Sequence, residues 1–432
     1  MVMAAGRVIG ISRVGSGGPA RNPASPRAVS GAMTTPISEN DVVVIAGART
    51  PFGNFGGVLA EFTATDLAVH AAQAAIARSG VPKERIDDVV FGNVMQTSAD
   101  AIYLARHVGL RAGIPIAVPA LTLNRLCGSG LQAILTAANS LMLGQTKYAL
   151  AGGTESMSQA PHVVRGARKG FPLGAQVKFE DTLWEALTDS YNGMPMAITA
   201  ENLAQRYDIA REACDDFALA SQERALESQS NGYFGEEIAP MEQRDRKGNV
   251  TIIDKDEGPR AGLTMEKLGK LPPRFRKDGV VTPGNASGIT DGAAAVVLTT
   301  VKQAKADGVE WIGRLIGSSV VGVDPDIMGI GPAVAIPKAL AAAGVAEKDL
   351  AVMEINEAFA PQVLACLKEM GSNGVRLNPH GGAISLGHPL GASGARLALT
   401  SIHDLRSNGG GYGVASACIG GGQGIAAVFA SE

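Results

Sequence analysis

Apolar positions along the chain switch between two periodicities, and the same switching occurs twice. Residues 65–78 carry apolar side chains at helical spacing, 88–91 form a short apolar run of strand length, 130–143 are helical again and 148–151 form a second short run. The same order returns downstream, with helical spacing over 332–343, an apolar run over 350–355, a helix over 394–405 and a strand over 412–416. Alternation of this kind predicts an α/β protein, each half a layered mixed sheet covered by helices.

The two series are in register. The nine residues from Ser79 resemble the nine from Ala343, an offset of 264 residues, and the same offset lays Pro115 on Pro379, Ser129-Gly130 on Ser393-Gly394, Leu141 on Leu405 and Tyr148 on Tyr412. A shared register over so many positions predicts an internal duplication. Residues 158–288 fall outside it and are richer in charges and turns, with one helical stretch at 211–229; they read as an inserted loop subdomain of the kind that supplies substrate contacts. The expected organisation is a disordered extension over 1–40, an N-terminal half made of 41–157 and 289–309, the insertion, and a C-terminal half over 310–432.

At 432 residues the chain needs two or three core units, and 46% hydrophobic residues suffice to fill them. The 55 glycines and 4% aromatic residues point to tight turns and close backbone packing. A net charge of -3 argues against a nucleic-acid partner, so any bound anion needs a local basic patch. Cys127, Cys214, Cys366 and Cys418 include no Cys-x-x-Cys pair, and the six histidines form no metal motif, so a reducing compartment and no metal are expected. No run of about 18 consecutive apolar residues occurs, so a soluble protein without a membrane span is expected. Residues 1–38 hold Arg7, Arg13, Arg21 and Arg27 and no acid. Two readings fit them: a transit-like segment, or an upstream extension with Met33 as the start. The second implies a cytoplasmic protein, the first a mitochondrial one.

Three distant segments each set one reactive side chain among small residues. Cys127 stands in Asn-Arg-Leu-Cys-Gly-Ser-Gly ahead of a predicted helix, where free N–H groups and the helix dipole favour a thiolate; a buried structural cysteine is the plain alternative. His388 stands in Gly-His-Pro-Leu-Gly-Ala-Ser-Gly, opposite Cys127 in the duplicated half, where it can act as base to the thiol or serve as an ordinary packed residue of a turn. Cys418 ends a strand before Ile-Gly-Gly-Gly-Gln-Gly, a run that is either a tight connection or a source of backbone N–H groups for an oxyanion. Asn356, in Asn-Glu-Ala-Phe, fits both a helix N-cap and a holder of an active-site water. Cys214 and Cys366 lie inside helical patterns and read as structural.

In their order along the chain, Cys-Gly-Ser-Gly, Asn-Glu-Ala-Phe, Gly-His-Pro-Leu-Gly-Ala-Ser-Gly and Cys-Ile-Gly-Gly-Gly-Gln-Gly resemble the thiolase family of acetyl-CoA acyltransferases, from about Asp41 to the C-terminus. The resemblance implies a duplicated five-layered α-β-α-β-α fold with an inserted loop subdomain. It implies an acyltransferase that cleaves 3-ketoacyl-CoA, including acetoacetyl-CoA, with CoA, or condenses acetyl-CoA, by ping-pong kinetics in fatty acid or ketone metabolism. It also assigns roles: Cys127 takes the acyl group, His388 activates it, Cys418 moves the proton at the alpha carbon, and Asn356 holds a water that joins His388 in one oxyanion hole. Backbone N–H groups of Cys127 and Gly420 form the other. Ser287, Met328, Phe359 and Met196 are implied along the pantetheine tunnel, with Leu187 and Arg260 nearer the nucleotide. No prosthetic group is implied beyond CoA and its thioesters as substrates, and a homodimer or homotetramer is expected. Pro195, in Met-Pro-Met-Ala, stands where many biosynthetic members carry His, and so resembles the mitochondrial-type 3-ketoacyl-CoA thiolases. A decarboxylating ketoacyl synthase shares a reactive Cys on such a scaffold but has no use for Cys418.

Overall fold

The computed structural model describes residues 35–244, 247–372 and 374–432. Residues 1–34, which carry most of the expected extension and its transit reading, lie outside the described residues. Residues 35 and 36 are tied to the body: Arg314 donates to the carbonyls of Thr35 and Pro36, and the Thr35 N–H donates to the Tyr412 hydroxyl at 3.2 Å.

Nine strands form the main path of a ten-stranded sheet: β1 (Val42–Arg49), β2 (Asp88–Gly92), β3 (Ala120–Leu123), β4 (Tyr148–Glu155), β5 (Thr290–Thr300), β6 (Gly313–Gly322), β7 (Leu350–Ile355), β8 (Gly411–Ile419) and β9 (Gln423–Ser431); the tenth, Gly53–Asn54, pairs with β5 off this path. Their spatial order is β7-β8-β9-β6-β1-β5-β4-β2-β3. The repeat is visible here, since β4 shifted by 264 residues falls on β8, and each has a parallel neighbour, β2 and β7 respectively. The two halves join where Val42 to Val44 of β1 pair antiparallel with Leu315 to Gly313 of β6. Most of these strands are buried on both faces, which is why they read as continuous apolar runs without alternation.

Seven of the helices bear on the layers and the site: α1 (Ala64–Ser79), α2 (Ser129–Met142), α3 (Met196–Arg206), α4 (Arg211–Ser230), α5 (Gly331–Ala343), α6 (Ala360–Met370) and α7 (Leu390–Ser407). On one outside, Leu67 and Ala71 of α1 pack on Ile45, Phe91 and Leu150. On the other, Ile336 and Leu340 of α5 and Val363 of α6 pack on Val414 and Val428. Between the half-sheets lie α2 and α7, with Leu131, Ile134, Leu397 and Ile402 against Val90, Val296, Ala415 and Ile425. The result is the five-layered α-β-α-β-α arrangement. Length and hydropathy alone would let Pro325–Ala343 cross a membrane. That stretch is broken at Ile327, where φ is −134°, and its α5 part is core against β6 and β9.

One detail of the central layer positions the site. A Cβ on Gly130 would stand 2.7 Å from the Ala395 nitrogen, and one on Gly394 would stand 2.5 Å from the Leu131 nitrogen. These duplicated glycines let the starts of α2 and α7 touch, so the loops entering the two helices converge. The insertion packs over the second half, with Leu203 of α3 and Cys214 and Ala218 of α4 against Ala360 and Cys366 of α6. It is also pinned to the end of β1: Arg49, fully buried, reaches Glu237 at 2.8 Å and Asp256 at 2.7 Å. Burial would lower the Arg49 pKa, but the two carboxylates outweigh it and keep the guanidinium charged.

Candidate active site

The chain leaves β3 through a tight elbow. The Asn124 Oδ1 accepts from the Leu126 N–H at 2.8 Å, the Ser129 Oγ accepts from the Arg125 N–H at 2.8 Å, and Leu126 is held at φ 47°, a left-handed conformation that a branched side chain adopts at a cost of about 1–3 kcal/mol. Cys127 follows at once and leads into α2. It packs against Met95, Met157, Leu183 and Leu390. Burial pushes its thiol up to about 11, against the pull of the Gly420 N–H and its own amide, and the Glu155 charge adds to the rise. The thiolate expected from the helix start is therefore not the resting form. Desolvation outweighs the few N–H groups of one helix end.

His388 enters from the second half. Its N–H donates to the Gly288 carbonyl and the Thr290 hydroxyl, both at 3.1 Å, and its Nδ1 lies 2.6 Å from the Ser393 Oγ. On the other edge of the ring, Nε2 lies 3.3 Å from the Asn356 Nδ2. Burial, with Arg396 adding to it, depresses the imidazole to about 3, so the ring rests neutral with a lone pair free to take a proton, as a weaker base than an exposed imidazole. A neutral thiol beside a neutral imidazole exchanges its proton only as a bond forms at sulfur. Burial disfavours the resulting charge separation, so fixed N–H donors at the site have to offset it as the bond forms.

Asn356 is no helix cap. The helix after it begins at Ala360 with Phe359 in the cap position, while the Asn356 N–H donates to the Ser416 carbonyl at 2.9 Å and its buried Oδ1 has no partner among the described residues. An orphaned buried carbonyl of this kind suits a bound water. Cys418, in β8 opposite Gly424 of β9, is fully buried beside Met328, Ala358, Met196 and Phe359. Burial holds its thiol well above the ordinary range, and the nearby Cys127 charge acts in the same direction, so the two sulfurs feel one another. The Gly420 N–H, in the turn that follows β8, is directed at the Cys127 sulfur.

His388 borders a cavity of about 190 Å³ whose lining also includes Leu187, Met196, Ser287 and Phe359; Cys127 packs with Met157 and Leu390 of that lining, and Cys418 with Met196 and Phe359. Met328 stands outside that lining, next to Cys418, and Arg260 lines a second cavity of about 250 Å³ that shares Ala286, Ser287 and Gly288 with the first. The structure thus brings Cys127, His388, Asn356, Cys418 and Gly420 together and sets the other expected residues around the adjoining space. Met157, Trp184, Ile289 and Leu390 also line the first cavity and were not legible in advance, since single apolar residues carry no sequence signal. Ser393 was visible inside the string around His388, without a role.

The two pKa displacements set a pH dependence. Above about pH 3 His388 is unprotonated, and below about 11 Cys127 remains a thiol, so across the neutral range neither group changes state in the free protein. Iodoacetamide alkylation of Cys127, assisted by the imidazole, is expected to vary little between about pH 6 and 9. In His388→Ala it should track the thiolate and climb roughly tenfold per pH unit. Equal slopes in the two proteins would remove His388 as the base.

Fold and site together define the class as an acyltransferase. The thiolase N-terminal domain model matches residues 42–302 and the thiolase C-terminal domain model matches 309–431. The chain belongs to the thiolase family. It is 53% identical over 388 residues to the bovine mitochondrial 3-ketoacyl-CoA thiolase, covering 90% of this chain and 98% of that one, and 44% identical over 392 residues to an acetyl-CoA acetyltransferase of Pseudomonas aeruginosa, covering 91% and 100%. The crystal structure of human mitochondrial 3-ketoacyl-CoA thiolase superposes with a TM-score of 0.89 at 51% identity, covering 91% of this chain and all of that one. Its complex with CoA superposes with a TM-score of 0.88 at 50% identity, covering 92% and 100%. The mammalian relatives carry mitochondrial names, and the expected cytoplasmic location finds no support in them.

Proposed function

We propose that this protein catalyses the reversible thiolysis of 3-ketoacyl-CoA to acetyl-CoA and a shortened acyl-CoA. The observation that carries the reading is the Cys127 thiol beside the cavity, with the Gly420 N–H on its sulfur and a neutral His388 backed by Asn356. In the cleavage direction the Cys127 sulfur bonds to the 3-keto carbon while its proton passes to His388 and the carbonyl electrons move onto oxygen. The oxyanion, on the carbon bonded to the Cys127 sulfur, is met by the N–H groups of Cys127 and Gly420. As it collapses to the acyl thioester the bond between C2 and C3 breaks and its electrons form the acetyl-CoA enolate, whose thioester oxygen is met by His388 and the water on Asn356, and Cys418 protonates C2. A second CoA then gives its thiol proton to Cys418 and attacks the acyl group; Cys127 leaves and recovers its proton from His388.

Met196 and Phe359 serve as apolar wall for the pantetheine arm, Ser287 offers it a hydroxyl, and Met328 backs the wall beside Cys418. Leu187 lies toward the nucleotide, and Arg260, exposed over the adjoining cavity, supplies the local positive charge that a phosphate needs on an acidic protein. The names of the mammalian relatives support a mitochondrial-type, degradative role over a cytoplasmic one. A homodimer or homotetramer fits the free edge of β3, where Leu121 is exposed on a strand with one neighbour and Ile102, Tyr103 and Ile116 are exposed nearby in sequence. The test is a series of 3-ketoacyl-CoA substrates from acetoacetyl-CoA upward, followed by loss of enolate absorbance with and without CoA. CoA-dependent loss, with longer chains cleaved at least as fast as the shortest, is expected; no CoA-dependent loss at any length would end the reading.

A further inference from the structure

The internal duplication holds a difference that the catalytic residues alone do not reveal. At the 264-residue offset Asn124, Arg125 and Ser129 of the first half fall on His388, Pro389 and Ser393 of the second. In the first half the Ser129 Oγ is occupied, accepting from the Arg125 N–H at 2.8 Å. In the second half the equivalent donor does not exist, because proline has no N–H. The Ser393 hydroxyl instead donates its one proton to the Pro389 carbonyl at 2.9 Å, and its oxygen faces His388 Nδ1 at 2.6 Å. Ser393 is buried on the side of the ring away from the cavity, so no solvent competes for the Nδ1 hydrogen bond.

We infer that Pro389 frees the Ser393 oxygen to hold His388 in the tautomer that carries its proton on Nδ1. A hydroxyl whose proton points at a carbonyl can only accept from the ring, so Nδ1 is the donor. Nε2 then keeps its lone pair, on the edge that faces the Asn356 Nδ2 at 3.3 Å, and is the nitrogen able to take the Cys127 proton. When it has done so, the imidazolium retains the Ser393 contact at Nδ1 and offers its new Nε2–H to the enolate oxygen. Ser393 is thus a positioning residue that acts through His388, an inference resting on the proposed thiolysis.

The test combines spectroscopy with kinetics. In protein with ¹⁵N-labelled histidine, the His388 signals, assigned by their loss in His388→Gln, are expected to show a protonated Nδ1 and an unprotonated Nε2 near pH 7. Ser393→Ala should mix the tautomers and lower the Cys127 acylation rate and kcat by at least about tenfold with KM little changed, within the 10²–10⁴ that a general base supplies. Ser393→Thr, which keeps the hydroxyl, should recover most of that rate. Pro389→Ala, which restores a competing N–H, should move the ¹⁵N signals in the same direction as Ser393→Ala. A proton on Nε2 in the unsubstituted protein, or Ser393→Ala acylating at the full rate, would overturn the inference. The ¹⁵N spectrum of the unsubstituted protein decides the tautomer even where a variant folds poorly. It is independent of substrate, so failure of thiolysis in the chain-length series leaves this result separately readable.

Discussion

Cys127→Ala is expected to lose thiolysis by about 10⁴ to 10⁶ and to form no covalent acyl-enzyme, because removing the nucleophile of such a site leaves only binding and oxyanion stabilisation. The expectation follows from the resting state. With the thiol at about 11, the thiolate is on the order of 10⁻⁴ of the sulfur at pH 7, so attack depends on proton transfer to His388 as the bond forms, and that pair is lost with the thiol. Cys418 is not expected to substitute: it is fully buried, burial holds its thiol well above the ordinary range, and it is fixed in β8 opposite Gly424 of β9. The fold should survive the change, because Cys127 is only half-buried and the contacts of the elbow run through Asn124, Arg125 and Ser129. Intact-mass spectrometry after incubation with acyl-CoA checks this, and an acyl adduct on the variant would move the nucleophile elsewhere.

Cys418→Ser separates the two thiols. The variant should still acylate Cys127, since the elbow, His388 and the Gly420 N–H are untouched, but it should exchange the alpha protons of acetyl-CoA at least about 10²-fold more slowly, because a serine hydroxyl is a far weaker acid than a thiol. The site is dry and apolar, walled by Met328, Ala358, Met196 and Phe359, which argues that the residue there trades a proton with carbon and with CoA without a water to relay it. Deuterium exchange into acetyl-CoA, followed by mass spectrometry, gives the rate directly. Exchange at the unsubstituted rate would exclude Cys418 from the proton transfer.

Much of the site was legible in the chain because its chemistry sits in short strings. Cys-Gly-Ser-Gly, Asn-Glu-Ala-Phe, Gly-His-Pro-Leu and Cys-Ile-Gly-Gly each pair a reactive or polar residue with the small neighbours that let a backbone or substrate come close. What the strings concealed is electrostatic. The helix start at Cys127 suggests a thiolate, whereas the surrounding Met95, Met157, Leu183 and Leu390 make a thiol, and those residues lie far from Cys127 in the chain or across the duplication. Asn356 shows the same limit. Its residue type favours a cap, and only the observed helix start at Ala360 releases it to face His388.

The sequence by itself determined the layers, the repeat and the inventory of reactive groups, because periodicity, register and motif spacing are local properties that any fold of this chain must respect. The tertiary structure decided the pairing of the halves through a short stretch of β1 and β6 and the contact of α2 with α7 at Gly130 and Gly394. It also decided which lone pairs remain free. Those depend on desolvation and on hydrogen-bond partners hundreds of residues apart, as where Pro389, lacking the N–H that Arg125 has, leaves Ser393 to the imidazole.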